Sequence, residues 1–501
     1  MDLLNNLALG LGAALTPYNI LFCFTGTLLG TLVGVLPGIG PTATIAMLLP
    51  ITLSLSPETS LIMLAGIYYG AQYGGSTTAI LINLPGESSS AVTAIDGYQM
   101  ARQGRAGAAL ATAAISSFIA GTIATVFVAA LAPPLTAVAL KFGPAEYFSL
   151  MVLGLMAAVV LAHGSVLKTI AMITMGLVFG LVGTDINSGS MRFTMDIPEL
   201  ADGLNFVAVA VGLFGIAEIL RNLEGTTERS TVVRKVHGLM PNKEDLKALL
   251  APALRGTALG SALGILPGGG AILASFASYA VEKKISKSPE RFGKGAIEGV
   301  AGPEAANNAG AQTSFIPMLT LGVPANPVMA LMIGAMIIQG IVPGPQVATS
   351  EPALFWGVIV SMWVGNLLLV ILNLPLIGVW VRLLTVPYSV LFPAILAFAS
   401  IGVYSVNSNT FDLYVMAAFG LFGYALSKLD FEPAPMLLGF VLGPLLEEHL
   451  RRAMVISHGD PSVFVTRPIS ATLLILAVLV TAIAFVPSIA KKREEVFVED
   501  D

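Results

Sequence analysis

Two clusters of small polar side chains interrupt otherwise apolar stretches of this chain. One follows GAQYGG, and the other lies in PEAANNAGAQTSF. Hydroxyl and amide groups can hydrogen-bond a solute, and their oxygens can coordinate a small cation. The alternative is that each group hydrogen-bonds a neighbouring helix. The candidates for contacting a solute are Ser76, Thr77, Thr78, Asn83, Ser88, Asn307, Asn308 and Asn326.

Carboxylates lie in or near the same segments, namely Glu87, Asp96, Glu298 and Glu304. An ionisable side chain at membrane depth is a candidate for function, because it is costly to keep there. The alternative is a carboxylate in a loop or an aqueous cavity, and for Asp96 the nearby Arg102 favours it. The candidates for binding a coupling cation, Na+ or H+, are Thr42, Glu87, Glu304, Gln312 and Ser314.

Glycine and proline interrupt an apolar run in GVLPGIGPTA, residues 34–43, and again in LPGGG, residues 266–270. Helices that begin beside such turns present free N–H groups, which favour anions. The positions expected to let a substrate carboxylate approach the backbone are Gly38, Gly40, Gly268, Gly269 and Gly270.

Basic side chains are absent from these polar regions. Residues 1–101 and 295–381 contain no Lys, Arg or His. A bound anion would therefore be neutralised by helix ends, backbone N–H groups and co-bound cations.

The composition is that of a polytopic membrane protein. The 501 residues are 55% hydrophobic and 11% charged, with a mean hydropathy of +0.84, whereas soluble domains are about 25% charged. Apolar runs long enough to span a bilayer recur throughout the chain, and none resembles a cleavable signal. Cys23 is the single cysteine, and the four histidines are scattered. We therefore expect no metal centre, no cofactor and no nucleic-acid partner.

The chain repeats itself at an offset of about 230 to 240 positions. Residues 26–40 and 256–270 share nine of fifteen residues, GAQ at 70–72 returns at 310–312, and Pro85 has a counterpart in Pro324. An ordered series of this kind predicts two homologous halves.

Charge predicts that the halves are inverted. The SPE loop at 56–58 lacks nearby cations, whereas its counterpart at 288–290 is surrounded by lysine and arginine. Basic loops stay in the cytoplasm, so equivalent loops lie on opposite sides, as in many secondary transporters. Both ends of residues 256–282 are then cytoplasmic, which predicts a re-entrant hairpin with arms of about eleven residues. The alternatives are a Pro-kinked span and a glycine face for close packing.

The predicted fold class is an all-α polytopic membrane protein with two inverted-topology repeats, re-entrant helical hairpins and broken helices, as in an elevator-like secondary transporter. Eleven full spans run from an external N-terminus to a cytoplasmic C-terminus, with broken spans at about 61–101 and 295–341. On this count Arg451, Arg452 and Arg467 lie outside, against the charge rule. The domains are 1–220 (first repeat), 221–250 (cytoplasmic linker), 251–452 (second repeat) and 453–501 (last helix, about 470–488, and basic tail).

The residues resemble a known family. LPGIGPTATIAMLLPIT, LAGIYYGAQYGGSTTAILINLPGESSSAVTAIDGYQMARQGRAG and PEAANNAGAQTSFIPMLTLGVPANP are similar to TctA, the large membrane subunit of the tripartite tricarboxylate transporters. The resemblance covers nearly the whole chain. It departs at VPANP, where a run such as PGSA is expected, so the substrate need not be citrate itself.

The resemblance implies a permease in the bacterial inner membrane that imports citrate-like tri- or dicarboxylates by symport with Na+ or H+. It also implies two partners, a small membrane subunit similar to TctB and a periplasmic solute-binding protein similar to TctC. The alternative is a channel or facilitator for small organic anions. An enzyme is disfavoured, because no HExxH, GxSxG or other nucleophile motif is present.

Overall fold

The computed structural model describes residues 3–36, 40–161, 165–185, 187–224, 238–239, 241–266, 270–384 and 388–484. Three of the predicted backbone positions, Gly38, Gly268 and Gly269, lie outside the described residues, as do residues 225–237 and 240 of the predicted linker.

The described chain is almost entirely helical, which confirms an all-α membrane protein. The helices of the N-terminal half are α1 (Leu3–Ala14), α2 (Pro17–Gly34), α3 (Pro41–Thr52), α4 (Pro57–Ile82), α5 (Ala91–Met100), α6 (Ala106–Ala139), α7 (Pro144–Leu161), α8 (Val166–Gly180), α9 (Phe206–Ala210) and α10 (Ala217–Glu224). Short 3-10 turns cover Ser88–Ser90 and Pro198–Leu200, and π-helical turns cover Ala101–Arg105 and Val211–Ile216. Strands β1 (Gly183–Thr184) and β2 (Met191–Arg192) form an antiparallel hairpin.

The C-terminal half continues in the same style after the linker. Its helices are α11 (Lys243–Gly264), α12 (Gly270–Ile285), α13 (Glu298–Thr313), α14 (Phe315–Leu321), α15 (Pro327–Ile338), α16 (Val347–Ser350), α17 (Pro352–Asn373), α18 (Ile377–Leu383), α19 (Tyr388–Asn407), α20 (Thr410–Lys428), α21 (Ala434–Ile456), α22 (Val463–Thr466) and α23 (Pro468–Ala484). A 3-10 turn, Pro289–Arg291, precedes α13.

Both predicted broken spans are interrupted in the structure. Helix α4 ends at Asn83, which adopts a left-handed conformation (φ 57°), and α14 ends at Gly322 (φ 69°). Pro85 and Pro324 follow at once, and proline disfavours helical backbone in the residue before it. Each break therefore arises from local sequence, and a new helical segment starts a few residues later.

Glycines allow the first helix of each hairpin to lie directly against the broken helix of the same half. A methyl group added at Gly26, Gly30 or Gly34 of α2 would overlap the backbone of α4. The equivalent positions of α11, Gly256 and Gly260, would overlap the backbone of α13. The repeated glycines of the sequence therefore form close-packing faces in both halves, as the second alternative for these stretches predicts.

The packing between helices corresponds in the two halves. Helix α6 of the first half packs on α11 and α13, and α17 of the second half packs on α2 and α4. Helix α8 packs on α21, and α20 packs on the segment from α9 to α10. Two halves related by a twofold axis would exchange helices in this way, which supports the repeat; inversion across a membrane stays a prediction.

Several element bounds differ from those expected. Among the described residues, five helical stretches are long and apolar enough to cross a membrane: Pro17–Gly34, Ser88–Ala139, Phe206–Glu224, Pro352–Asn373 and Thr410–Lys428. Shorter apolar helices accompany them. The arms of the second hairpin, α11 and α12, have 22 and 16 residues, more than the eleven expected. Helix α11 begins inside the predicted linker, and α21 continues past position 452.

The three arginines that contradicted the charge rule are all paired with carboxylates. Arg451 contacts Asp185 at 3.0 Å and Glu447 at 2.6 Å. Arg452 contacts Glu448 at 2.5 Å, and Arg467 contacts Glu146 at 2.5 Å. Because each positive charge is compensated locally, these residues carry little weight as topology signals.

The β-hairpin is fastened to the end of α21 by the same network. Arg192 of β2 contacts Glu447 at 2.8 Å. The Ser188 hydroxyl and the Asn187 N–H donate to Asp185, and together with Arg451 they lower the pKa of Asp185 to about 2.

Candidate functional site

The two helix breaks contact the opposite half of the chain in a reciprocal manner. Glu87, in the first break, accepts a hydrogen bond from the Asn307 amide of α13 at 2.9 Å. Asn326, in the second break, donates to the Tyr68 hydroxyl of α4 at 3.3 Å. The two pairs are related by one offset of 239 positions in the sequence. Each break therefore contacts the broken helix of the other half, and the two contacts are at equivalent positions of the repeat.

Glu87 is held by neutral groups. The Ser89 hydroxyl donates to its carboxylate at 2.5 Å and lies 2.9 Å from the Asn307 amide oxygen. The backbone of the break passes close to α4, since the Gly86 N–H donates to the Gly75 carbonyl at 3.5 Å. A methyl group added at Gly86 would overlap the backbone at Gly75 and at Gly34, so this glycine permits the close approach.

Glu304 lies deeper, in the middle of α13, and collects hydroxyl donors from three helices. Ser76 of α4 donates at 2.9 Å, Ser117 of α6 donates at 3.3 Å, and Thr93 of α5 forms a further hydrogen bond. The Asn308 amide donates to the Ser117 hydroxyl at 2.7 Å. Glu304 is 1% exposed, so these groups replace the water that a carboxylate otherwise requires.

Among the described residues, neither carboxylate meets a basic side chain. The donors to the side chains of Glu87, which is half-buried, and of Glu304 are hydroxyl and amide groups. An uncompensated charge in a low-dielectric interior is costly. Each carboxylate could therefore bind a proton or a metal cation, and a charged solute could bind nearby.

A small cavity adjoins Glu304. It has about 10 Å³ of room for the centre of a water-sized molecule, which is close to the space that one water needs. Both halves contribute to its wall, which consists of Tyr73, Ser76, Thr77, Leu110, Ala113, Ala114, Ser117, Glu304 and Asn373.

The other two carboxylates have structural partners. Asp96 is 0% exposed and accepts backbone hydrogen bonds from Gly293, Gly295 and Ala296 at 2.7–2.9 Å. Glu298 faces Arg291 at 3.4 Å. Asp96 therefore ties α5 to the loop that precedes α13. The alternative considered for it, a carboxylate in a loop or an aqueous cavity, is wrong, because the side chain is buried within α5.

The remaining predicted residues lie at separate places around this centre. Thr78 donates to the Val35 carbonyl at 2.8 Å, and Ser314 donates to the Ala311 carbonyl at 2.6 Å. Gln312 is bonded to Thr125 of α6. Asn83 and Ser88 are exposed, and Gly40 and Thr42 are half-buried at the start of α3. Gly270 is buried against Gly264 of α11.

Four groups at the centre are absent from the sequence prediction: Tyr73, Thr93, Ser117 and Asn373. The pair Ser116-Ser117 in α6 and Asn373 in α17 are polar interruptions of apolar helices. That polarity is a usable signal. It does not reveal which helix each group faces.

The chain is similar in sequence to known proteins. A family model described as the tripartite tricarboxylate transporter TctA family matches residues 20–438. The chain is similar to an uncharacterized 52.8 kDa protein in the TAR-I ttuC' 3'region of Agrobacterium vitis, with 67% identity over 501 residues and 100% of both chains covered. An uncharacterized protein in the TAR-II ttuC' 3'region of the same organism is 69% identical over 242 residues, which is 48% of this chain and 100% of that protein. No solved structure matches.

Proposed function

Because the chain belongs to the tripartite tricarboxylate transporter TctA family, we propose that it is the large permease subunit of a binding-protein-dependent secondary transporter. It imports citrate-like tri- or dicarboxylates together with Na+ or H+. It acts in the bacterial inner membrane with a small subunit similar to TctB and a periplasmic binding protein similar to TctC.

One observation carries the proposal: the two helix breaks meet the opposite halves reciprocally. Broken backbone at membrane depth is tolerated only where protein or a water-filled cavity satisfies it. Here Asn326 begins α15 and accepts the Met329 N–H with its side chain, so a helix N-terminus starts at the break. Helix N-termini favour anions, and carboxylates are the anions that the family name specifies.

The substrate contacts follow from this position. The polar groups nearest both breaks are Ser76, Asn307, Asn308 and Asn326, with Glu87 and Glu304 behind them. Since no basic side chain is available in residues 1–101 or 295–381, co-transported cations supply the compensating charge. Movement of the broken helices and hairpins as one body, in the elevator manner, is the accompanying proposal.

The test is uptake by proteoliposomes that contain this chain with its two partner subunits. Radiolabelled citrate, succinate and malate are supplied separately, with a Na+ gradient, a proton gradient, both or neither. We expect saturable uptake of at least one carboxylate that is lost when both gradients are collapsed. Uptake that persists without either gradient would contradict symport, and uptake without trans-stimulation would favour the channel alternative.

A matched pair of variants tests the site. Asn326 and Asn409 both cap a helix through the side-chain oxygen, at α15 and α20 respectively. Replacing either with alanine removes a cap worth about 0.5–2 kcal/mol, so the two variants lose similar stability. Asn326→Ala should lower kcat/KM for uptake at least tenfold, and Asn409→Ala should leave it near the wild-type value. Equal effects would remove the second break from the substrate site.

A further inference from the structure

We propose that the small cavity beside Glu304 is a binding site for one Na+ ion, held by Glu304, Ser76, Ser117 and Asn373. The cavity lies between α4, α6, α13 and the end of α17, so both halves of the chain contribute oxygen atoms. Its role in transport rests on the proposed function; its capacity to bind the ion does not.

An unpartnered amide oxygen is the independent sign of a ligand here. Asn373 is 5% exposed, and its amide nitrogen donates to the Leu369 carbonyl at 2.9 Å. Its Oδ1 has no hydrogen-bond partner among the residues that the structure describes, although Asn373 lines the cavity. A buried acceptor left unpaired costs about 1–3 kcal/mol. A cation in the cavity would satisfy it.

The hydroxyl groups can turn their lone pairs towards an ion without losing their own donor bonds. The Ser76 hydroxyl lies 2.9 Å from Glu304 and 3.1 Å from the Gln72 carbonyl, so it has a second acceptor one turn back along α4. The Thr77 hydroxyl already donates to the Tyr73 carbonyl at 3.2 Å. With the protons directed to these carbonyls, hydroxyl oxygens face the cavity as hard-cation ligands.

Charge and size favour a single monovalent cation. Of the described residues that line the cavity, Glu304 is the one carboxylate, and none is Lys, Arg or His. One positive charge neutralises the site, whereas a divalent ion would leave a net charge in a low-dielectric interior. Other ionisable groups around α13 include Tyr73 in the wall, Glu87 with its amide and hydroxyl donors, and Glu282, which is paired with Arg255 at 2.6 Å. At the start of α13, Glu298 faces Arg291 at 3.4 Å, and Asp96 accepts the Tyr279 hydroxyl beside Gly299. The space of about 10 Å³ holds one dehydrated ion and no shell of water.

Binding is measured on the purified full-length chain in detergent, without partners or carboxylate. The midpoint of thermal unfolding is followed against NaCl concentration at constant ionic strength with choline chloride, at fixed pH, and again with KCl in place of NaCl. We expect a saturable rise with NaCl that KCl does not reproduce at equal concentration. Binding of radioactive Na+ to the purified protein is measured directly. It gives the number of ions bound per chain, which we expect to be one at this site.

Two substitutions test the ligands, and one provides a matched control. Asn373→Leu removes the free oxygen with little change in size, and Ser117→Ala removes a second ligand; each should weaken the apparent Na+ affinity at least tenfold. Gln339 also has a buried, unpartnered amide oxygen and donates its amide to a carbonyl, but it lies at the end of α15, away from the cavity. Gln339→Leu should leave Na+ affinity unchanged.

The outcomes separate this inference from the proposed function. Any of three results with the wild-type protein would refute the Na+ site. The unfolding midpoint would show no saturable response to NaCl, would respond equally to KCl, or would depend on pH alone. Unchanged affinity in Asn373→Leu and Ser117→Ala would also refute it. If these results accompany gradient-driven carboxylate uptake, only the inference fails. Na+ binding as predicted, without uptake of any carboxylate, would leave the site standing and refute the transport proposal.

Discussion

Asp96 permits a sharp test of the difference between a structural and a functional carboxylate. Its Oδ1 accepts N–H bonds from Gly293 (2.9 Å), Gly295 (2.7 Å) and Ala296 (2.7 Å), and its Oδ2 accepts the Tyr279 hydroxyl (2.9 Å). The substitution Asp96→Asn keeps the shape and one acceptor oxygen for the three N–H groups, but it removes the negative charge.

The number of bonds gives the size of the effect. A hydrogen bond to a charged group contributes about 1.5–3 kcal/mol and one between neutral groups about 0.5–1.5 kcal/mol. If each of the three N–H bonds loses about 1 kcal/mol, opening of the loop becomes easier by about 3 kcal/mol, which is roughly 150-fold. Tyr279→Phe removes one bond to the carboxylate and should ease opening by about 2 kcal/mol, or roughly 30-fold.

Trypsin reports the opening of this loop directly. Arg291 and Lys294 are exposed cleavage sites within it, and Lys141, on another loop, serves as an internal reference. Cleavage follows the population of the open form when opening and closing are fast relative to cutting. The ratio of cleavage at the loop to cleavage at Lys141 should therefore rise about 150-fold in Asp96→Asn, while Asp202→Asn, at an exposed aspartate, leaves it unchanged.

A cleavage ratio in Asp96→Asn that equals that of wild type would refute the structural role. So would a larger effect from Tyr279→Phe than from Asp96→Asn, since the carboxylate accepts three bonds that the tyrosine does not make. In either case Asp96 would return to the set of carboxylates considered for transport.

The glycine faces and the ion-pair network yield two further predictions. Gly30→Val and Gly260→Val should each lower the free energy of unfolding by about 1–3 kcal/mol, because the new side chains overlap backbone. Gly12→Ala, at a position with no described heavy atom within 4 Å, should raise it by about 0.5–1 kcal/mol. Denaturant midpoints that do not separate the two valine variants from Gly12→Ala would contradict the packing argument. The folded pKa of Asp185, about 2, lies below its ordinary 3.8, so its contribution to stability is present above pH 3.8 and is lost as the pH falls towards 2. Ser188→Ala removes the hydroxyl bond that lowers this pKa most, and it should flatten the decline in an acid titration of the unfolding midpoint; Arg451→Gln should flatten it less. A decline as steep as in wild type in both variants would count against the network.

Features that arise from local sequence were predictable. The breaks at Asn83 and Gly322 follow from Pro85 and Pro324, since proline restricts the residue before it. The glycines of residues 26–40 repeat because a helix can approach another backbone closely only where a side chain is missing. The family assignment is confirmed, because it rests on long motifs that occupy most of the chain.

The composition of the central cluster was only partly predictable. Ser76 and Glu304 stand out in sequence because they interrupt apolar runs next to glycine and proline. Thr93 and Ser117 reach Glu304 from α5 and α6. Helix α6 is long and apolar on every face, so periodicity does not encode which face points inwards. Helix α5 is short and carries several polar groups, and the sequence alone does not show which of them meets Glu304. Asn373 was missed because its importance lies in an oxygen without a partner, a property of packing.

Element bounds failed for a different reason. Helix α11 begins at Lys243, within a charged segment read as linker, because Asn242 caps it and Glu244 and Asp245 occupy its first turn. Those are favourable signals for a helix start. A charge count alone treats the same residues as solvent-exposed linker.

The repeat and its exceptions have separate consequences for the proposed mechanism. At the offset of 239 positions, Glu87 corresponds to Asn326 and Tyr68 to Asn307, so the hydrogen bonds occupy equivalent places while the charge occurs in one half only. The backbone of the breaks is shared, and with it the capacity to present N–H groups to an anion. The carboxylates are not shared: Glu304 lies in the second half and has Ser76 of the first half as a donor. Chemistry that distinguishes the two directions of transport must therefore come from these departures, because identical halves facing opposite sides would respond identically to solute from either side.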